Sequence, residues 1–237
     1  MKKFLVFMAA LFFILVALLE LVLPKTLSNV LSAQVSNLTA AQEVDLDLNS
    51  SPNVKIAIGD IDKIHAVANL GRIGEIDFKT LTLDGEKISV DVPEILFPTE
   101  SLSSQERTDK ILKSAGKIEM HGIITADDLK TFIAKKVDKF DNAEVKISQD
   151  GITASGQIKI MGRMAEVDMA GTFSADDGNI YFHGTNLNIK NSLLRHIQLD
   201  RFFGDVKILD SKDLPLNLKY DNVELRDNEI LITAKLR

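Results

Sequence analysis

Few residues of this chain have the types and spacing that enzyme or metal chemistry requires. The sequence has four histidines and no cysteine. The histidines stand apart, without the H-x-x-x-H or H-E-x-x-H spacing that places two imidazoles on one metal ion. The absence of cysteine excludes thiol catalysis and cysteine-ligated zinc. The sequence therefore predicts no metal site; its histidines are His65, His121, His183 and His196.

Three further groups could suggest catalysis, and each has a simpler explanation. Asp127 and Asp128 are adjacent carboxylates, but they follow Thr125 at the start of a helical pattern, where the helix dipole favours acids. Ser155 does not lie in the G-x-S-x-G elbow of serine hydrolases, and neither does any other serine. Residues 71–74 (GRIG) lack the lysine and hydroxyl of a phosphate-binding loop. We therefore predict no catalytic residue, no cofactor and no enzymatic activity.

Residues 4–23 form an apolar run that is long enough to cross a membrane. The run contains one charge, Glu20, follows Lys2 and Lys3, and ends before Pro24. A helix of this length spans about 30 Å, the thickness of a bilayer's hydrocarbon core. The preceding lysines favour a cytoplasmic N-terminus. The run is either an uncleaved anchor or a signal peptide, and the lack of a small-residue cleavage site close behind it favours the anchor.

The chain is therefore divided into a membrane anchor or signal sequence, residues 1–24, and an exported domain, residues 25–237. The net charge is −6, and the charged residues before position 34 sum to +2, so the remainder carries −8. Nucleic-acid binding needs clustered lysine and arginine, so this balance argues against a nucleic-acid partner.

The first half of the exported domain is predicted to be a helix followed by an antiparallel meander. Apolar residues on one face predict a helix from Thr26 to about Ala41, and Pro24 is expected to separate it from the membrane helix. Asp84-Gly85 is a typical hairpin signal. The polar stretch 97–116 is a loop or a short helix and the expected internal boundary. Alternating apolar residues predict strands at residues 44–48, 54–58, 76–83 and 88–92.

The second half repeats this arrangement of a helix followed by strands. Thr125 is the predicted N-cap of a helix over residues 126–140. Asp150-Gly151, Asp177-Gly178 and Asp227-Asn228 predict turns. The apolar stripe of the helix comprises Leu129, Phe132, Ile133, Val137 and Phe140. The predicted strands cover residues 145–147, 152–160, 167–173, 180–189, 204–210, 214–220, 223–225 and 230–236.

In their order along the chain, these motifs resemble the LmeA-type phospholipid-binding family of bacterial envelope proteins. The resemblance rests on Thr125–Leu129, residues 150–156 (DGITASG), Asp177-Gly178 and residues 214–216 (LPL). It implies an α+β fold in which a curved, mostly antiparallel β-sheet wraps around a long helix, as in tubular lipid-binding proteins. It also implies phospholipid as the partner, outside the cytoplasm. The expected location is the inner (cytoplasmic) membrane, crossed once by residues 4–23, with the C-terminal domain in the periplasm or cell envelope.

A lipid site requires apolar surface, and the same residue types line a groove or fill a core, so the sequence leaves both open. Each methylene group that leaves water contributes about 0.8 kcal/mol, so even part of two acyl chains would outweigh many polar contacts. The predicted lipid-binding residues are Leu129, Phe132, Ile133, Val137, Phe140, Ile160, Val167, Met169, Phe173, Leu187, Ile189, Leu216 and Leu218.

Residues 193–203 are the predicted head-group or membrane contact. Arg195 and Arg201 supply the planar donor fork that suits a phosphate, and Phe202 and Phe203 supply apolar surface. The alternative is a short amphipathic helix packed on a sheet edge.

We expect non-catalytic binding, and transfer, of phospholipid or a similar amphiphile in the bacterial cell envelope. Two alternatives stay open. One is an envelope scaffold with a solid core and no lipid site, and the other is an enzyme that acts on envelope lipids or glycans.

Overall fold

The structure is a computed structural model, and it describes residues 20, 22–37, 39–97, 110–136, 141–160, 163–190 and 205–236. The fold is α+β, with mostly antiparallel strands and few helices, as the sequence predicts. The chain forms two compact units. Unit 1 is Met1–Ala68 with Thr82–Glu119, and unit 2 is Asn69–Leu81 with Met120–Arg237. The boundary expected within residues 97–116 stays a prediction.

Within the described residues, each α-helix is followed by one or more strands. The α-helices are α1 (22–37), α2 (Val92–Leu96) and α3 (Ala126–Lys136). The strands are β1 (Glu43–Asn49), β2 (Asp60–Ile73), β3 (Ile76–Val90), β4 (Leu112–Thr125), β5 (Asp141–Ser148), β6 (Gly151–Ile160), β7 (Arg163–Asp176), β8 (Asn179–Ile189), β9 (Val206–Leu209), β10 (Lys219–Arg226) and β11 (Glu229–Lys235).

Unit 1 combines α1 with four strands that are neighbours in chain order, β1-β2-β3-β4. Leu27 of α1 and Leu46 and Leu48 of β1 are buried. The hydroxyl of Ser28 donates to the carbonyl of Leu46, which joins the helix to the strand. The predicted helix and the alternating strand at residues 44–48 are thus confirmed.

The predicted break at Pro24 is wrong, because residues 22–37 form one helix that includes this proline. Proline has no N–H to donate to the carbonyl four residues earlier, that of Glu20, and this carbonyl accepts instead from Nδ2 of Asn53 at 3.3 Å. Among the described residues, no helix is both long and apolar enough to span a membrane. Residues 1–19 and 21, which hold most of the apolar run, lie outside the described part.

Residues 54–58, predicted as a strand, instead belong to the 3₁₀ helix Asn53–Ile58. Gly59 ends this helix in the left-handed region, with φ of 90°. The first turn of the helix donates hydrogen bonds to the carboxylate of Glu20, a residue distant in sequence. This long-range contact has no signature in the alternating pattern.

The predicted hairpin at Asp84-Gly85 is also wrong, since β3 runs through both residues. The hairpin between β2 and β3 lies instead at Gly74-Glu75, where Gly74 has φ of 58°. Gly85 serves close packing: a Cβ there would lie 2.6 Å from Cγ2 of Ile64.

Unit 2 contains two sheets. The first sheet has the strand order β1-β2-β3-β4-β11-β10, and unit 2 contains β11, β10 and one end each of β2, β3 and β4. The second sheet has the antiparallel order β5-β6-β7-β8-β9. The predicted turns at Asp177-Gly178 and Asp227-Asn228 are confirmed. The turn predicted at Asp150-Gly151 lies one residue earlier, at Gln149-Asp150, because Gly151 already pairs with Ser148. The strand predicted over residues 214–220 begins only at Lys219, because Ser211–Asp213 and Pro215–Asn217 form 3₁₀ turns.

Tyr220 gives a first prediction about the core of unit 2. Its side chain is 1% exposed, and among the described residues its hydroxyl has no hydrogen-bond partner. Burial, and then the charges of Asp213 and Asp210, raise the pKa of the Tyr220 hydroxyl far above its usual range. An unsatisfied buried hydroxyl costs about 1–3 kcal/mol, so Tyr220→Phe should stabilise the protein by about 1 kcal/mol.

The measurement is the midpoint of thermal unfolding, with Tyr181→Phe as the matched control. Tyr181 is the other of the two tyrosines and is half-buried, so its hydroxyl can bond to water and its removal should leave the midpoint nearly unchanged. A lower midpoint for Tyr220→Phe than for Tyr181→Phe would show that the Tyr220 hydroxyl is satisfied.

Candidate functional site

Helix α3 begins where the sequence places it. The backbone N–H and the hydroxyl of Thr125 donate to Oδ2 of Asp128 at 2.9 and 2.7 Å, and the N–H of Asp128 donates to Oγ1 of Thr125 at 3.2 Å. This is a capping box, which satisfies donors that a helix start leaves free. The structure describes α3 as far as Lys136, so Val137 and Phe140 lie outside the described residues.

The apolar side of α3 is core rather than groove at its first turns. Leu129 is 3% exposed and Phe132 is 7% exposed, whereas Ile133 is half-buried. The cavity beside Leu129 has a volume of only about 10 Å³. A space of that size holds about one water molecule, which is far too little for an acyl chain. Its lining residues are Ile76, Ile124, Leu129, Phe173, Ile180, Ile208, Leu209, Ile230 and Ile232.

The antiparallel register brings other predicted residues together on one face of the sheet β5–β8. Val145 pairs with Ala154, Ala154 with Met169, and Met169 with Leu187. These four residues are called the apolar row. Ala154 is buried, but Val145, Met169 and Leu187 are only half-buried. The row is therefore an apolar line across four strands that the described protein does not fully cover.

The adjoining residues of the same face are more deeply buried. Val167 pairs with Ile189 and both are buried, and Val167 also faces Gly156 of β6. On the other side, Phe182 lies over Gly171, where a Cβ would be 2.3 Å from the ring. Both flanks of the apolar row are thus covered by side chains of the sheet itself.

Three other residues of the predicted lipid-binding set, Ile160, Leu216 and Leu218, lie outside the apolar row. Ile160 pairs with Arg163 at the β6–β7 hairpin, where the structure describes the backbone but not the side chain. Leu218 is buried, and Leu216 is half-buried in the Pro215–Asn217 turn with φ of 59°. Residues 191–204, which include the predicted head-group contacts Arg195, Arg201, Phe202 and Phe203, lie outside the described residues.

The opposite face of the same sheet carries a polar depression of about 420 Å³. It contains one lysine, Lys146, against the carboxylates of Glu144 and Asp168, and apart from Met169 its other lining residues have hydroxyl, amide or small side chains. Asp168 also pairs with Lys190 at 3.4 Å, and the hydrogen bonds that Lys190 donates to Asp168 and then to Glu166 raise the pKa of Lys190. With more acids than bases in its lining, this depression does not suit a phosphate head group.

Two of the three lysines of α3, Lys135 and Lys136, form ion pairs with acids of unit 2. Lys135 lies 3.3 Å from Asp77, which also accepts from Arg72 at 2.5 Å. The Arg72 guanidinium, and then Lys135, hold the pKa of Asp77 below its usual range. Lys136 pairs with Glu75 and lies over the ring of Phe132, 5.9 Å from its centroid. These pairs offset the positive charges of Lys135 and Lys136 in the last turn of the helix.

The sequence patterns did not predict one group of three polar side chains that contact one another. Oγ of Ser174 lies 2.6 Å from Nε2 of His183, whose Nδ1 lies 2.5 Å from Oδ1 of Asp205. The tautomer that satisfies both contacts has Nδ1 donating to Asp205 and Nε2 accepting from Ser174. The three residues come from β7, β8 and the start of the β9 segment, so no short motif could reveal them. Within the described residues there is no cluster of metal-ligating side chains.

Comparison with known proteins gives one match, and it covers most of the chain. The model of a family described as LmeA-like phospholipid-binding matches residues 17–235. This match confirms the resemblance inferred from the motifs. No curated protein and no solved structure matches the chain.

Proposed function

Because the chain belongs to the LmeA-like phospholipid-binding family, we propose that it binds phospholipid without catalysing a reaction, and that acyl chains lie along the apolar row of unit 2. The observation that supports this position is the half-burial of Val145, Met169 and Leu187 on one cross-strand line. The sheet curves around α3 in this proposal, and a bound lipid covers the part of its face that α3 does not.

Partition of the tails out of water supplies the binding energy. Each buried methylene contributes about 0.8 kcal/mol, so ten methylenes would outweigh the entropy lost by one lipid. The head group stays at the rim, close to water, because burial of an unpaired phosphate costs far more than it returns. Residues 193–203 are the proposed contact for that head group.

The proposed setting is the outer side of the inner membrane. Residues 4–23 would anchor the chain there and raise its effective concentration at the lipid source. Transfer then needs only exchange of a lipid between the bilayer and the apolar row.

Native mass spectrometry of the chain, released from membranes with a mild detergent that is then exchanged away, tests the proposal. We expect peaks that are heavier by the mass of one or two phospholipids. A chain that is always empty and that moves no fluorescent phospholipid between vesicles would favour the scaffold alternative.

A second candidate function, ester hydrolysis, is favoured by the Ser174–His183–Asp205 contacts. Oγ of Ser174 would attack an ester carbonyl while His183 takes its proton and then passes it to the departing alcohol, and water would release the acyl group. Ser174 lies within β7 rather than in a strand-to-helix elbow, which is why this function ranks second.

The hydrolase candidate predicts that a fluorophosphonate probe labels Ser174 and that Ser174→Ala lowers esterase turnover at least 10³-fold. Phospholipid binding should be the same in Ser174→Ala and in the unchanged chain, since Ser174 is not in the apolar row. Absence of labelling in the intact chain would remove this candidate.

A further inference from the structure

Glu20, the one charge in the apolar run, makes a specific contact in unit 1. Its Oε1 accepts from the backbone N–H of Asn53 at 2.8 Å, and its Oε2 accepts from that of Val54 at 2.9 Å. Its carbonyl accepts from Nδ2 of Asn53 at 3.3 Å. Three hydrogen bonds therefore join the end of the apolar run to the start of the 3₁₀ helix Asn53–Ile58.

The contact satisfies hydrogen-bonding groups both of Glu20 and of the start of the 3₁₀ helix. The first N–H groups of a helix have no partner within the helix, and a carboxylate is their strongest acceptor. Pro24 has no N–H to offer the carbonyl of Glu20 four residues earlier, so that carbonyl is free for the Asn53 amide. A charge beside an apolar segment is thereby stabilised by fixed donors rather than by bulk water.

Exposed apolar side chains lie on the two segments that this contact joins. Ile58 is 74% exposed at the end of the 3₁₀ helix, and Val22 is 53% exposed two residues after Glu20. Lys25, in the next turn of α1, is also exposed. The 3₁₀ helix rises about 2 Å per residue, so Ile58 lies about 10 Å from Asn53. Apolar tips with a nearby lysine are the composition of a surface that rests on anionic lipid head groups.

The apolar residues that precede Glu20 in the sequence indicate that a membrane covers this surface. Residues 4–19 are apolar without exception and end directly at Glu20. A bilayer that contains them would have its head-group region at Glu20, within reach of Val22 and the 3₁₀ helix.

We infer that Glu20 seats unit 1 on the membrane surface, with Val22 and Ile58 inserted among the lipid head groups. The inference rests on the proposed anchor in residues 4–23 and goes beyond lipid binding by the apolar row. Unit 1 is then held rigidly at the bilayer and does not swing on a flexible tether.

Depth-dependent fluorescence quenching tests this seating in the full chain. The sequence has no cysteine, so Ile58→Cys introduces a single attachment point for an NBD label. The labelled chain is reconstituted in phosphatidylethanolamine–phosphatidylglycerol vesicles that contain spin-labelled lipid. We expect quenching at position 58 to be at least threefold stronger than at a control position that is far from the proposed membrane contact.

Lys117→Cys is the matched control within unit 1. Its side chain is 62% exposed on β4. The N–H of Val90 donates to the carbonyl of Gly59 at 2.8 Å, and that of Asp91 to the carbonyl of Ile111 at 2.8 Å. Residue 111 is thus near the 3₁₀ helix, and Lys117 is about 20 Å further along the strand direction.

Glu20→Gln, combined with the labelled Ile58→Cys, tests whether the carboxylate of Glu20 is needed for the membrane contact. Glutamine replaces one of the two accepting oxygens by an NH2 group, which cannot accept the second N–H bond. Quenching at position 58 should therefore fall to near the Lys117→Cys value while vesicle flotation continues. Equal quenching at positions 58 and 117, quenching unaffected by Glu20→Gln, or a chain that does not float with vesicles would each overturn the seating.

The lipid-binding proposal is measured separately. Seating predicts that Glu20→Gln leaves the lipid-bound peaks in native mass spectra unchanged, because the apolar row is in unit 2. Weak quenching at position 58 in a chain that still shows lipid-bound peaks therefore contradicts only the inference about Glu20. Absence of lipid-bound peaks from the chain without substitutions contradicts the proposed function.

Discussion

Met169→Lys should lower the lipid bound by the protein at least tenfold. Met169 is in the middle of the apolar row, between Ala154 and Leu187, and is half-buried. An ammonium group there removes methylene contacts worth about 0.8 kcal/mol each, and two such contacts already account for a tenfold change in affinity. The measurement is the fraction of chain that retains phospholipid in native mass spectra, together with the rate of fluorescent phospholipid transfer between vesicles.

Ala170→Lys provides the matched control. Residue 170 is the next residue of β7, is also half-buried and faces the polar depression. Side chains of adjacent strand residues point to opposite faces, so the same charge is added in the same strand without entering the apolar row. Both variants should unfold at similar temperatures. Equal lipid retention in Met169→Lys and Ala170→Lys would place the lipid elsewhere than in the row.

Local chemistry explains the parts of the fold that could be predicted. Thr125 starts α3 because its capping partner, Asp128, is three residues away. The Asp-Gly turn at residues 177–178 and the Asp-Asn turn at residues 227–228 form for a similar reason, since a two-residue turn is decided by its own residues. The order β5-β6-β7-β8 then follows from antiparallel pairing of strands that are consecutive in the chain.

Long-range contacts account for the errors. Residues 54–58 alternate like a strand, but Glu20 holds the first turn of a 3₁₀ helix from 33 residues away. Gly85 looks like a turn residue, but its missing side chain makes room for Ile64 of the neighbouring strand. No window of a few residues contains either cause.

The candidate site shows the same limit. Leu129 and Met169 are both apolar residues at regular spacing, and the sequence assigns them to one lipid-binding set. The structure places Leu129 against a cavity of about 10 Å³ and leaves Met169 half-buried. Only the register of four strands separates a residue that fills the core from one that can contact a ligand.

Gly59→Ala should be among the most destabilising single changes in unit 1, by about 3–5 kcal/mol. Gly59 has φ of 90°, a region that costs an L-residue about 1–2 kcal/mol. A Cβ at Gly59 would also lie 2.1 Å from the carbonyl oxygen of Val90. That oxygen cannot move aside, because the N–H of the same residue donates to the carbonyl of Gly59 at 2.8 Å.

Thermal unfolding followed by circular dichroism measures the effect, and two further variants separate its causes. Gly116→Ala places a Cβ 3.1 Å from Cβ of Lys87, a tight but tolerable approach, and should cost about 1 kcal/mol or less. Asparagine tolerates positive φ better than alanine does, so Gly59→Asn relieves strain but keeps the clash with Val90. We expect Gly59→Asn to be nearly as unstable as Gly59→Ala. Recovery of most of the lost stability by asparagine would mean that backbone conformation, and not the approach of Val90, requires glycine at this position.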